Sequence, residues 1–83
     1  MIIRYFAWVR EKAGREEETL TPPETVKTVA DLIAYLATID DNHAAAFEEA
    51  DAIRVAIDQE HVEPDALIAG AREIAFFPPM TGG

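Results

Sequence analysis

Cysteine is absent from all 83 residues, which excludes a disulfide framework, a thiolate metal site and a persulfide carried on a side chain. Basic residues are scarce. Seven lysines and arginines against 16 acidic residues give a formal net charge of −9, which argues against nucleic acid and an anionic membrane as partners and favours a basic protein. The same charge repels a small phosphorylated substrate, so a phosphate-binding site in its pathway is expected on another protein. Glycine occurs only at Gly14, Gly70, Gly82 and Gly83, in no dinucleotide or Walker spacing, so no ATP-binding loop is expected and no cofactor is assigned to this chain. No apolar run approaches the roughly 20 residues that span a bilayer, and Met1-Ile2-Ile3-Arg4 lacks the pattern of a secretory signal. A cytoplasmic location is expected.

Side chains suited to catalysis are equally few. His43 and His61 are the only histidines, and with no nearby serine or suitable acid both are read as surface residues. Glu48, Glu49 and Asp51, and likewise Glu60, Glu63 and Asp65, lack the spacing and central glycine of a calcium loop, so both groups are read as solvated and no metal site is assigned.

The residues that are present describe one small domain, 49% apolar, too short for a second core. Ile2 to Val9 is rich in β-branched and aromatic residues and reads as a strand, with Ile3, Tyr5, Ala7 and Val9 inward and Ile2, Arg4, Phe6 and Trp8 outward. Arg10 to Gly14 reads as one helical turn stopped by glycine, and Arg15 to Thr21 as an edge strand whose Glu16-Glu17-Glu18 run is solvated. Val29, Leu32, Ile33, Leu36 and Ile39 form one apolar stripe of a helix over Thr28 to Ile39, with Thr28 and Asp31 as a capping box. A short helix over His43 to Ala50 is anchored by Phe47. Ala52 to Asp58 alternates as a half-buried strand, and Gln59 to Ala69 reads as a brief strand or an irregular crossing. Gly70 permits a tight turn into a last strand, Arg72 to Phe77, with Ile74 and Phe76 inward and Ala75 and Phe77 outward.

This order predicts an α+β, two-layer fold of the β-grasp type, with one main helix across a mixed sheet and the first and last strands parallel at its centre. Phe6, Trp8 and Phe77 would then form one outer apolar patch where the tail begins. Residues 1–77 are assigned to the β-grasp body and 78–83 to an extended tail. From Pro78 to Gly83 that tail reaches about 20 Å at roughly 3.3 to 3.6 Å per residue, enough to thread into a partner's active site. Pro78 and Pro79 stiffen its base. Gly82 and Gly83 leave the terminal carboxylate thin and free of Cβ atoms, so the reactive group is expected at the end of the chain. A carboxylate becomes an acyl donor when adenylated, and the acyl adenylate can accept sulfur to give a thiocarboxylate nucleophile. Without cysteine, the terminal acyl group is the place where this chain can hold transferable sulfur.

Three stretches carry a family resemblance: Tyr5-Phe6-Ala7-Trp8-Val9-Arg10-Glu11, Val55-Ala56-Ile57-Asp58, and Glu73 through Phe77-Pro78-Pro79-Met80-Thr81-Gly82-Gly83. Together the chain resembles the ubiquitin-like small, sulfur-carrying subunits of molybdopterin synthase. The resemblance implies that Gly83 is adenylated by an E1-like enzyme using ATP, converted to a thiocarboxylate and inserted into the large subunit. There it would donate sulfur to cyclic pyranopterin monophosphate in molybdenum cofactor biosynthesis, within a heterotetramer. It implies subunit contacts at Phe6, Arg10 and Phe77, to which the outer-face reading adds Trp8 and the arm Pro78, Pro79, Met80 and Thr81. The chain itself would be a non-catalytic carrier. A carrier for thiamine or another sulfur-containing product, and a ubiquitin-like protein modifier, are the alternatives. Gly70-Ala71-Arg72-Glu73 departs from the family's shorter, more acidic turn and is expected to alter local geometry only.

Overall fold

A computed structural model describes residues 1–79. The elements follow in the order β1 (Ile2–Tyr5), α1 (Ala7–Ala13), β2 (Glu17–Thr19), α2 (Val29–Leu36), α3 (Asp41–Ala46), a 3-10 turn (Ala50–Ala52), β3 (Arg54–Ile57), β4 (Glu60–Val62) and β5 (Glu73–Phe77). Among the described residues the strands form one mixed sheet in the order β2-β1-β5-β3-β4. β1 and β5 are parallel, with Ile3 beside Ile74 and Tyr5 beside Phe76, and every other pairing is antiparallel. The expected β-grasp topology is therefore present, with β5 at the centre and β2 at an edge.

Alternation on β5 decides which way the sheet faces. Ile74 and Phe76 are fully buried, and with Ile3, Tyr5 and Val55 they meet Val29, Leu32 and Leu36 of α2 in one core. Phe47 closes this core, its ring edge-on to Phe76 at 5.0 Å between centroids. The α2 stripe matches the sequence reading at these positions, whereas Ile33 is half-buried and Ile39 lies exposed beyond the helix end. Thr28 and Asp31 form the capping box: Thr28 Oγ1 accepts from the Asp31 N–H at 3.1 Å, and Asp31 Oδ2 accepts from the Thr28 N–H at 3.2 Å.

Four expectations are corrected. The first strand ends at Tyr5 rather than Val9, because the Phe6 N–H makes the last bond to the Phe76 carbonyl and Ala7 turns to φ 52°. A left-handed alanine costs about 1–2 kcal/mol, which the helix beyond it and the sheet before it must offset. From Ala7 the chain is helical, ended by Gly14 at φ 75°, whose N–H bonds to the Arg10 carbonyl. Val9 is buried as expected, but by facing inward from α1; Ala7 is exposed and Trp8 rides on α1 rather than on the strand.

The second correction concerns the acidic edge. Glu18 is not solvated: only 13% of its side chain is exposed, and it accepts from the Tyr5 hydroxyl at 2.6 Å. The third concerns His43, which is fully buried rather than on the surface, its ring nitrogens 2.6 Å from Glu18 Oε2 and 2.7 Å from Asp40 Oδ1. A polar side chain enters a core when partners at both ends satisfy it, and partners contributed by β2 are invisible to local sequence. Residues 59–69 resolve into the brief strand β4 and a turn, and Ala56, expected outward, is nonetheless buried.

Candidate functional site

Strand period two sends alternate residues of the central strands away from α2, and these build the outer face. On β5 they are Glu73, Ala75 and Phe77; in register beside them lie Arg4 of β1, opposite Ala75, and Arg54 of β3, opposite Phe77. Small Ala75 leaves a depression between larger neighbours. The result is a hollow of about 690 Å³ lined by Arg4, Phe6, Ala7, Gln59, Glu73, Ala75, Phe77, Pro78 and Pro79. Four of the partner contacts expected from sequence, Phe6, Phe77, Pro78 and Pro79, thus meet in one wall.

Each is held by its element. Phe6 precedes α1 as its N-cap residue in extended conformation, and the left-handed Ala7 after it ends the strand there, leaving Phe6 44% exposed. The Arg4 guanidinium lies 6.0 Å from its centroid while bridging at 3.7 Å to both Glu17 and Glu73. These exposed bridges contribute little stability, and one guanidinium between two carboxylates leaves the rim with one net negative charge beside the aromatic surface. Phe77, half-buried, is flanked by the His61 ring at 5.1 Å. Pro78 and Pro79 follow without regular structure, so the described chain leaves the fold on this wall.

The β3–β4 turn supplies the remaining side. Asp58 and Gln59 both take positive φ, 48° and 72°, the pattern of a type I′ hairpin turn. Asp58 Oδ1 accepts from the Arg72 and Glu73 N–H groups at 3.0 and 2.9 Å, which fixes the start of β5 and with it the course of the chain after Gly70. Gln59 and Glu73 escaped the sequence reading as wall residues, although the outward position of Arg4 and Ala75 was already given by alternation.

Trp8 and Arg10 lie elsewhere. Both belong to α1 and neither lines the hollow: Arg10 is exposed, while Trp8 is half-buried with Lys12 Nζ 5.1 Å from its ring. The expected contacts Met80 and Thr81 and the expected reactive Gly82 and Gly83 lie outside the described residues. A larger hollow of about 890 Å³ opens between α2 and β3–β4, but it has an acidic rim of Asp51, Glu63 and Asp65 and does not adjoin Pro78. Among the described residues no group of three potential metal ligands converges. No described helix is long and apolar enough to cross a membrane.

Comparison with known proteins adds to this geometry. The ThiS family profile matches residues 3–83. The molybdopterin synthase sulfur carrier subunit of Escherichia coli (strain K12) is 33% identical over 81 residues, covering 98% of this chain and 96% of that protein. Among solved structures, SAMP1 from Haloferax volcanii superposes with a TM-score of 0.74 at 27% identity, covering 100% of this chain and 98% of that one. A putative molybdopterin converting factor, subunit 1, from Pyrococcus furiosus gives 0.73 at 28% identity, covering 95% of each chain.

Proposed function

The chain belongs to the ThiS family, and from that membership we propose that it carries sulfur on its C-terminal glycine for a molybdopterin synthase. The observation that carries the reading is the exposed aromatic wall of Phe6 and Phe77 at the base of the Pro78-Pro79 arm, in a chain matched over nearly its whole length by a sulfur carrier subunit. An exposed aromatic wall with a mildly acidic rim suits docking on a protein surface, and an arm rooted in that wall is carried into the partner as docking occurs. Residues 1–77 act as the docking body and 78–83 as the arm.

In the proposed cycle an E1-like adenylyltransferase joins the Gly83 carboxylate to AMP from ATP, with pyrophosphate leaving. Sulfide-level sulfur from a donor on that side of the cycle attacks the acyl carbon, AMP leaves, and a thiocarboxylate remains. The body then docks on the synthase large subunit through Phe6, Phe77, Pro78 and Pro79, with Arg10, Trp8, Met80 and Thr81 as further contacts. Gly82 and Gly83 pass into the active site, where the thiocarboxylate sulfur bonds to a carbon of cyclic pyranopterin monophosphate as an oxygen leaving group departs, and water then cleaves the acyl C–S bond, leaving sulfur on the pterin and the Gly83 carboxylate regenerated. The carrier performs no catalysis; positioning is its contribution. Two carriers on a large-subunit dimer complete the heterotetramer.

Reconstitution tests this directly. Thiocarboxylated chain, large subunit and cyclic pyranopterin monophosphate should yield the sulfurated pterin, and deletion of Gly83 should abolish it. Turnover only with a thiazole-forming partner would transfer the reading to thiamine. Branched lysine conjugates of the cell-derived chain, in place of a terminal sulfur-for-oxygen mass gain, would make it a protein modifier.

A further inference from the structure

His43 takes no part in the proposed docking, yet it is the one buried polar or charged residue of the described chain. Its Nε2 lies 2.6 Å from Glu18 Oε2 and its Nδ1 lies 2.7 Å from Asp40 Oδ1. Both neighbours are carboxylate oxygens, which only accept. A neutral imidazole has one N–H and one lone pair, so it would leave a lone pair against a carboxylate at hydrogen-bond distance. Two donors require an added proton.

The surrounding groups decide where that proton rests. Tyr5 of β1 donates its hydroxyl to Glu18 Oε2 at 2.6 Å, Arg15 before β2 bonds Glu18 Oε1 at 3.0 Å and reaches Asp40 Oδ2 at 3.7 Å, and the His43 N–H donates to Asp40 Oδ1 at 2.8 Å. From α1, packed along α3, Val9 and Ala13 are buried while Arg10, Glu11 and Lys12 hold exposed positions; Asp41 of α3 is exposed as well. Each carboxylate is thus ringed by donors. Burial works to raise the Glu18 pKa, but bonds from Tyr5 and His43 and the nearby positive charge outweigh it and hold it below its usual value. Asp40 is held low first by the His43 backbone N–H and then by the ring. Tyr5 is pushed up by burial and by Glu18, so it stays a donor. With both acids ionised, a ring that donates at both ends is an imidazolium, which with Arg15 sets two positive charges against the two negative ones.

We propose that His43 is a buried imidazolium clasp joining Glu18 on β2 to Asp40 at the start of α3, a proton-dependent fastener between the sheet edge and the helical layer. Removing one ring proton sets a lone pair against a carboxylate and leaves an unbalanced negative charge beneath Tyr5, so β2 and α3 separate locally as pH rises. The inference is independent of the carrier reading.

A long-range proton–nitrogen NMR spectrum of the full, nitrogen-labelled chain at neutral pH tests it. Both ring nitrogens of His43 should show the shift of a protonated nitrogen, with exposed His61 in the same spectrum for comparison. A lone-pair shift at either nitrogen overturns the clasp, since the proton would then rest on Glu18 or Asp40. Amide hydrogen exchange, corrected for intrinsic rates, tests the switch. Protection in β2 and α3 should fall on going from neutral to alkaline pH while α2 keeps its own, and unchanged protection there overturns it. His43→Gln can donate at one end only; it should lose protection in β2 and α3 at neutral pH and show no further alkaline step. If that variant does not fold, the two measurements on the native chain decide.

Discussion

Phe76 and Phe77 are adjacent in sequence and opposite in consequence. Phe76 is fully buried against Tyr5 and Phe47, so Phe76→Ala should cost about 3–5 kcal/mol, read as a lower denaturation midpoint at unchanged m-value. Phe77 is half-buried in the wall proposed to dock a partner. Phe77→Ala should cost far less stability and instead weaken binding to the large subunit by about 2 kcal/mol or more, as a central aromatic anchor does. Titration calorimetry alongside denaturation separates the two, and equal stability losses would contradict the face assignment. Carboxylates set the acid behaviour. Glu18, Asp31 and Asp40 are each held below their ordinary values, Glu18 against the opposing pull of burial, Asp31 chiefly by the Lys27 and Thr28 N–H groups and Asp40 by the His43 N–H. A depressed folded-state pKa contributes stability that is present above the unfolded value and lost as pH falls through the folded one. The urea midpoint should therefore drop as pH goes below about 4, the unfolded carboxylate range, and Thr28→Ala, by removing the capping partner of Asp31, should flatten part of that slope.

At the level of elements, the β3–β4 hairpin carries avoidable strain. Asp58 and Gln59 occupy left-handed backbone, and Asp58 repays its share through two hydrogen bonds to the start of β5. Among the described residues Gln59 makes no such bond. Gln59→Gly should raise stability by about 1 kcal/mol, measured as a higher urea midpoint with the sheet register unchanged by NMR. A lower midpoint would mean that the Gln59 side chain packs usefully in the hollow. Why this turn escaped the sequence while others did not is physical. Gly14 and Gly70 announce their left-handed positions, φ 75° and 80°, because glycine adopts them freely, whereas Asp58-Gln59 is held there by neighbours distant in the chain. α2 was legible because its stripe and capping box lie within a dozen residues, and β5 because period two separates Ile74 and Phe76 from Ala75 and Phe77. β1 ran too long on paper because Val9 satisfies an alternating strand and, four residues before Ala13, the buried side of a helix equally well. Ala7, Arg10, Glu11, Lys12 and Ala13 all favour helix, and that preference won once the chain turned at Ala7. The wall of Phe6 and Phe77 was readable because both strands alternate, while Trp8 fell away from it because the stretch from Ala7 is helix rather than strand.

Charge acts over the whole molecule, and it divides the work of association. A net charge of −9 on a body whose extents are 35 × 28 × 19 Å makes a field that reaches well past the surface, whereas the wall proposed to dock is largely aromatic, with Arg4 paired to Glu17 and Glu73 at its rim. In the proposed complex, long-range attraction toward a basic partner would govern how often the two meet, and the wall would govern how long they stay. Salt separates these roles, because the screening length falls from about 10 Å at 0.1 M to about 3 Å at 1 M while buried aromatic contact is hardly screened. Raising salt across that range should slow association with the large subunit about tenfold and leave dissociation nearly unchanged, as followed by stopped-flow fluorescence or surface plasmon resonance. Phe77→Ala should do the reverse, speeding dissociation with the salt dependence of association intact. An association rate indifferent to salt would mean that the acidic surface serves solubility alone, and that the partner recognises this chain by its wall and arm without electrostatic guidance.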